Sequence, residues 1–433
     1  MDWLLKVVNY IGIGVVFVLM ISVLVAAHEL GHYLFARLFK MGVEEFAIGF
    51  GKRPLVTYLR RTYQLKLRPG EDPYHSSPEE GEVVSRGPAL EGGTQRRQVK
   101  IVDTPQGQAL EETTDFTVRP WPLGGFVRIK GMIPEEDGSE TKIPGGFYNA
   151  APWKRFIVLL AGPAFSILAG VLILVPLYMI DGKDQMSNKP VLKTVLPNGP
   201  AGKAGLKEND RIVSIDGKPI NTFYDVVTTV RNNPGKGLAF VYERAGARRT
   251  TTVVPELEES PSAVLGPDME PTGDTRRQAK LLAGTSREKL RLDFATATTA
   301  ALQTPVDAVK GLFKIFAQPS KFKENVGGPG TMIAATAGAV SMGLPYVLWL
   351  SAMLSISVGI FNLLPAPPLD GGQMAIALAE MVRGGRRLSW KVQNAVSLVG
   401  VTFVFALILG ALAVDVQRFA LPKKESTKVE SAK

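Results

Sequence analysis

Residues Ile11 to Ala27 (IGIGVVFVLMISVLVAA) carry no charge and run directly into His28-Glu29-Leu30-Gly31-His32. The apolar run, taken from about Val8 to Phe39, is long enough to cross a bilayer as a helix, which needs about 20 residues. On a helix, residues four apart share a face, so both imidazoles can address one ion while Glu29 projects beside them. Zinc suits such a set, because it accepts two histidines and a carboxylate and keeps a further position for water. A carboxylate at Glu29 can take a proton from that water. The alternative is a chance match in a helix with two satisfied histidines. Ionisable side chains inside a membrane segment are costly, and this favours the functional reading. The run could also be a secretory signal, since Val25-Ala26-Ala27 resembles a cleavage site. Asp2 and Lys6 before it, and apolar patterning beyond Ala27, speak for a retained helix.

Three further apolar runs follow, Phe156 to Ile180, about Leu344 to Leu364 and about Val396 to Val414, and they define a polytopic α-helical membrane protein of about four transmembrane helices. The formal charge of +10 would also fit a nucleic-acid binder, but the basic residues flank the apolar runs and form no single stripe. No nucleic-acid partner is expected; the lipid bilayer is. Lys52, Arg53, Arg60, Arg61, Lys154 and Arg155 lie between the first and second runs, and Arg383, Arg386, Arg387 and Lys391 between the third and fourth. By the positive-inside rule both links are cytoplasmic and the stretch from Gly182 to Pro345 is outside, although Lys423 and Lys424 pull the other way. With no cysteine in the chain, thiolate metal sites, disulfides and cysteine nucleophiles are excluded.

A third metal ligand must come from elsewhere. His75, the one histidine outside the motif, sits in a polar loop-like stretch, Glu71 to Ser77, and reads as a surface residue. Asp370 is the better candidate. It closes the third run in Asn362-Leu363-Leu364-Pro365-Ala366-Pro367-Pro368-Leu369-Asp370-Gly371-Gly372, where prolines and glycines break the helix at membrane depth. Taken alone, Asp370 could equally be a helix-ending aspartate exposed at the cytoplasmic surface.

His28 to His32 in a first helix, joined to Asn362, Pro365, Pro367 and Leu369-Asp370-Gly371 in a later one, resembles the site-2 proteases, intramembrane zinc metalloproteases that cut membrane-anchored regulators. The resemblance implies that His28, His32 and Asp370 ligate Zn2+, that Glu29 activates water, and that Asn362 holds the substrate backbone or the developing oxyanion, with Pro365 and Pro367 on the substrate side. Pro122-Leu123-Gly124-Gly125-Phe126-Val127 looks like the family's membrane-associated β-hairpin, and Gly124, Gly125, Phe126 and Val127 would then pair with an extended substrate. Ala161-Gly162-Pro163 also matches. Ser166 departs from the pattern, since bacterial relatives usually carry asparagine there. The stretch from Arg53 to Arg119 is longer than expected, with strand-like Gln98 to Val102 and Thr114 to Val118.

Between the second and third runs, Val191 to Val195, Pro200 to Leu206 and Asp210 to Ile220 resemble one circularly permuted PDZ module, an α+β fold that binds chain ends by strand addition. It would bind a peptide tail of the substrate or exclude bulky substrates. The expected organisation is a first transmembrane helix at 1–40, a cytoplasmic loop with the hairpin at 41–153, a second helix at 154–181, the PDZ module at 187–258 and an external amphipathic linker at 259–330. A third helix with the Leu-Asp-Gly motif at 331–382, a fourth at 383–420 and a disordered tail at 421–433 complete it. Arg276 to Pro319 reads as a helix near the membrane surface, with Phe294, Leu302, Val306, Val309, Leu312 and Phe316 at helical spacing. The expected activity is intramembrane cleavage of membrane-anchored proteins at the bacterial plasma membrane, with the active site toward the cytoplasm and the PDZ module outside. A catalytically silent PDZ scaffold and a metal transporter are the competing classes. Retention of Glu29 argues against the first, and the scarcity of other carboxylates in the runs against the second.

Overall fold

The computed structural model describes residues 2–66, 100–104, 107–133, 139–257, 262–265, 271–276, 279–281, 283–317 and 327–419. They fall into two compact units, one within 1–176 and 297–433 and the other within 177–296. His75, residues 98 and 99 of the first strand-like segment, and the expected tail at 421–433 lie outside the described residues.

Helix α1 (Asp2–Leu38) carries the first apolar run through the histidine motif without interruption. It ends where Lys40 turns left-handed at φ +61°. The Lys40 amide donates to Arg37 O at 3.0 Å and the Met41 amide to Ala36 O at 2.8 Å, the reverse bonds of a Schellman ending. The chain then enters β1 (Val43–Phe50), β2 (Val56–Lys66), β3 (Lys100–Thr104), β4 (Gly107–Val118) and β5 (Trp121–Ile129). These form one mixed sheet of order β2-β4-β1-β5, with β3 also on β4. A hairpin was expected here. Instead, the antiparallel neighbours β1 and β5 are separated in sequence by three strands, because β1 pairs in parallel with β4 on its other side. The long polar insertion therefore supplies sheet. Inside it, Glu45 is buried and accepts from Thr117 Oγ1 at 2.6 Å and from Arg119 Nη2 at 2.7 Å. Lys130 pairs with Glu112 in the same way. Ala36, Met41, Val43, Ile129, Phe147, Tyr148, Val158 and Leu159 form the apolar core that fastens the sheet to the ends of α1 and of α2 (Pro152–Ile180).

In the second unit, β6 (Lys183–Met186), β7 (Thr194–Val195), α3 (Pro200–Lys203), β8 (Arg211–Ile215), β9 (Lys218–Pro219), α4 (Phe223–Arg231), β10 (Leu238–Arg244) and β11 (Ala247–Val253) follow in order. β8 to β11 make a sheet of order β11-β10-β8-β9. Thr222 caps α4 through a capping box with Asp225. β12 (Glu256–Leu257), β13 (Ser262–Leu265), β14 (Pro271–Arg276), β15 (Ala279–Lys280), β16 (Ala283–Gly284) and β17 (Arg287–Leu290) complete the unit. Two expectations change here. Leu281 is buried in one cluster with Leu192, Ile212, Val226 and Phe240, so the packed module continues beyond residue 258. Short strands also stand where a helix was expected, because Ala283–Gly284 pairs with Thr194–Val195 and Arg287–Leu290 with Lys183–Met186.

The amphipathic helix begins only at α5 (Phe294–Ala317), which leaves Phe294, Leu302, Val306 and Phe313 exposed. Asp293 starts it by accepting from Thr296 Oγ1 at 2.6 Å and from the Ala295 amide at 3.0 Å, and these bonds hold its carboxyl below the ordinary aspartate range. The expected single helix at 331–382 is three: α6 (Pro329–Met342), α7 (Leu344–Asn362) and α8 (Asp370–Val382). Gly343, at φ +103°, separates the first two, and the proline-rich turn separates the last two. α9 (Trp390–Phe419) ends the described chain. Among the described residues, four helical stretches are long and apolar enough to cross a membrane: Tyr10–Leu38, Pro152–Ile180, Leu344–Asn362 and Trp390–Phe419.

Candidate metal centre and cleft

His28 and His32 lie one turn apart on α1 and are both buried. Asp370 opens α8, and the turn before it folds back closely. A Cβ on Gly371 would lie 2.4 Å from the carbonyls of Leu363 and Leu364, and one on Gly372 would lie 2.1 Å from Pro367 N. Glycine is the residue that permits this approach, and it brings the carboxylate to the histidines. Asp370 Oδ2 is 3.0 Å from His28 Nε2 and 3.4 Å from His32 Nε2, and the two Nε2 atoms are 3.3 Å apart. One ligand atom from each residue lies within 4.8 Å of the others.

The second nitrogen of each ring is held from α2. His32 Nδ1 lies 2.8 Å from the Val158 carbonyl, which can only accept, so Nδ1 carries a proton, and in the neutral ring the Nε2 lone pair then faces the cluster. His28 Nδ1 lies 2.8 Å from Ser166 Oγ. Between these two contacts α2 presents Gly162, where a Cβ would come within 2.2 Å of His32 Nε2 and 2.9 Å of His28 Nε2. α1 and α2 approach closely on the same face, since a Cβ on Gly31 would sit 2.3 Å from Ala161 O. Small residues at helix contacts are how membrane helices come together. The Ala161-Gly162-Pro163 motif is thus a space-making element. Two imidazole nitrogens and one carboxylate oxygen converge, their outer atoms engaged and the space beside them clear, and this donor set fits a zinc ion.

The cluster opens on a cavity of about 360 Å³ lined by His28, Glu29, His32, Asn362, Asp370 and the strand residues Gly124 to Val127, with Val25, Phe50, Met132 and Val358 among its apolar walls. The Val127 amide faces the Glu29 carboxylate, so this part of β5 addresses the cleft. Among the described residues β1 is the only strand paired with β5, which leaves the cleft-facing edge of β5 unpaired. Ser22 Oγ donates to Pro122 O at 2.9 Å and ties the start of that strand to the middle of α1. Of the residues expected on the substrate side, Asn362 and Gly124 to Val127 reach the cavity. Pro365 is exposed and Pro367 is buried, where a Cβ on Gly400 of α9 would come within 2.1 Å of its carbonyl; neither proline lines the cavity. Their contribution is to the turn that aims Asp370. Sequence reading missed the roles of Val158 and Gly162. Gly162 and Ser166, four residues apart beside a proline, were the available signal for two contacts of one helix face.

The chain belongs to peptidase family M50, whose model matches residues 16–69 and 101–407, and it is therefore a protease. It is 30% identical over 439 residues to the probable protease eep of Enterococcus faecalis, an alignment covering 94% of this chain and 99% of that one. To the regulator of sigma-W protease RasP of Bacillus subtilis it is 28% identical, over 95% of this chain and 100% of the relative. The zinc metalloprotease RasP of Bacillus licheniformis is 29% identical over 94% and 99%. Among solved structures, the PDZ domain of an SdrC-like protein from Listeria monocytogenes is 13% identical over 21% of this chain and 87% of that chain, with a TM-score of 0.15, a score at which the likeness decides nothing.

Proposed function

We propose that this protease is a zinc metalloendopeptidase that cleaves membrane-anchored proteins at the level of the bilayer. The observation that carries the reading is the meeting of three ligand atoms, one carboxylate and one unpaired strand edge in a single cleft between apolar helices. His28, His32 and Asp370 would hold the zinc ion. When bound, it supplies a Lewis acid that acidifies water and polarises a carbonyl. Glu29 takes the proton of the attacking water and returns it to the leaving amine as the C–N bond breaks and the new C–O bond forms. The unpaired edge of β5, from Gly124 to Val127, binds the substrate as an added strand, which requires that a helical substrate first unwind. Asn362, at the end of α7, hydrogen-bonds the substrate backbone or its developing oxyanion. In the same reading the basic links at 40–153 and 383–391 face the cytoplasm, and the unit at 177–296 is an external PDZ module that controls access of substrate. Names of the relatives, three of them proteases and one of these a zinc metalloprotease, support the cofactor and the reaction.

Purified wild type and Glu29→Gln, both in proteoliposomes with a single-spanning substrate, test the proposal. Glutamine keeps the shape and the ligands but removes the base, so zinc content should be equal and the cleavage rate should fall on the order of 10²–10⁴-fold. Cleavage by the variant at the wild-type rate would sink the role given to Glu29.

A further inference from the structure

Val158, Gly162 and Ser166 follow one another at four-residue intervals on α2 and so share a face. The first holds His32 through a main-chain carbonyl, which any residue would offer. His28 has no such guarantee, because its partner is a side chain, and that side chain is the one position where the motif departs from the asparagine expected by resemblance. A hydroxyl can donate or accept. If Ser166 donated to Nδ1, the proton of His28 would sit on Nε2 and no lone pair would face Asp370 and His32. If it accepts, Nδ1 carries the proton and Nε2 is free to bind a metal.

We infer that Ser166 is the positioning residue for His28: its oxygen accepts a hydrogen bond from Nδ1–H and so fixes both the tautomer and the ring plane of that ligand. The inference rests on the zinc reading above. The hydroxyl is well placed to do this because it projects from the middle of α2, whose backbone sets its direction. Ser166 is fully buried. Ser355 Oγ, on α7, donates to the Ser166 carbonyl at 2.7 Å. Gly359, one turn further along α7, brings that helix close, since a Cβ there would lie 2.7 Å from Pro163 O and 3.2 Å from Ser166 Cβ. α2 thus acts as the outer half of the metal centre, giving one ligand a fixed acceptor from the main chain and the other an acceptor set by sequence.

The test is zinc affinity of the purified full-length protein, measured by competition with a chromophoric chelator for wild type, Ser166→Ala, Ser166→Cys and Ser355→Ala. Visible spectra of the cobalt-loaded forms are recorded alongside. Loss of a partner outside the ligand shell typically weakens metal binding about 10–100-fold. Ser166→Ala and Ser166→Cys should show that loss and an altered cobalt spectrum. Ser355→Ala removes a helix–helix bond without touching His28 and should keep the wild-type affinity and spectrum. Wild-type affinity in Ser166→Ala, or an equal loss in Ser355→Ala, would overturn the inference while leaving the zinc reading intact. Failure of the wild type itself to bind zinc would overturn both.

Discussion

Adding one methyl group at Gly162 is the sharpest test of the metal centre. The Cβ of Gly162→Ala would lie 2.2 Å from His32 Nε2 and 2.4 Å from its Cε1, whereas ordinary contact begins near 3.4 Å, so ring and helix must separate by about 1.2 Å. α2 has little freedom to retreat, because Gly31 already packs against Ala161 O and Gly359 against Pro163 O. The imidazole must therefore give. Metal–ligand distances tolerate about 0.2 Å, and a misplacement of about 1 Å at a reacting centre costs on the order of 10²-fold in rate. Zinc affinity and cleavage should both fall at least about 100-fold. Backbone propensity runs the other way, since alanine is favoured over glycine in a helix by about 1 kcal/mol, so a general loss of helix is not the cause of the defect. Gly338→Ala, where no atom lies within 4 Å of the new methyl, is the matched control. Zinc content after purification, chelator competition and thermal unfolding of the three proteins decide the matter. A Gly162→Ala protein that binds zinc with wild-type affinity would refute the assignment of α2 as the wall of the site.

Three other expectations follow from the packing of the helices. Asp415 on α9 accepts from the amides of Gly328 at 3.1 Å and Gly330 at 2.7 Å and from Thr331, capping α6 from a neighbouring helix; Asp415→Ala should lower stability by about 1–3 kcal/mol with zinc affinity unchanged, and an unaltered thermal midpoint in detergent would contradict it. Glu380 on α8 is fully buried, pairs with Arg155 on α2 and accepts from the Leu388 amide at 3.0 Å; Glu380→Ala strands the arginine and should cost about 3–5 kcal/mol, read as lost yield of folded protein and a lowered midpoint. Because the chain lacks cysteine, single-cysteine variants report topology without background: Lys218→Cys should react with an impermeant maleimide in intact cells, and Lys52→Cys and Arg386→Cys only after permeabilisation, with the reverse pattern inverting the proposed orientation.

Much of the cleft was legible because its parts are local. Four-residue spacing puts His28 and His32 on one face whatever surrounds them, and the prolines before Asp370 announce a break. What escaped was long-range or lacked a side-chain signature. The Val158 carbonyl that orients His32 is a main-chain atom, and every residue has one. The parallel pairing of Glu45 to Ile48 with Asp115 to Val118 joins strands some 70 residues apart in sequence, and no periodicity encodes that register. The break between Pro329–Met342 and Leu344–Asn362 was signalled by Gly343-Leu344-Pro345, but continuous hydrophobicity on both sides masked it. The extended segment at Ala283–Gly284 and Arg287–Leu290 is held by strands about 90–100 residues earlier, and its polar composition gives no strand pattern of its own.

The break after α7 explains how a carboxylate can reach the histidine pair of α1 at all. In a continuous helix Asp370 would follow the axis of α7, and the backbone amides around it would be committed to the helix. Ending α7 at Asn362 and restarting at Asp370 re-aims the chain, at the cost of freeing the last carbonyls of α7. The turn recovers much of that internally: Leu363 N–H donates to Ile360 O at 3.1 Å, Ala366 N–H to Leu364 O at 2.7 Å, Leu369 N–H to Ala366 O at 3.0 Å and Gly372 N–H to Leu369 O at 3.0 Å. Prolines at 365, 367 and 368 bring no amide that would need a partner. Gly371, Gly372 and Gly400 then let the stitched turn lie against α8 and α9 without a gap. A turn fixed on both sides carries the position of its last residue into the site, so substitutions at Gly372 or Gly400 should disturb zinc binding although neither glycine lines the cleft.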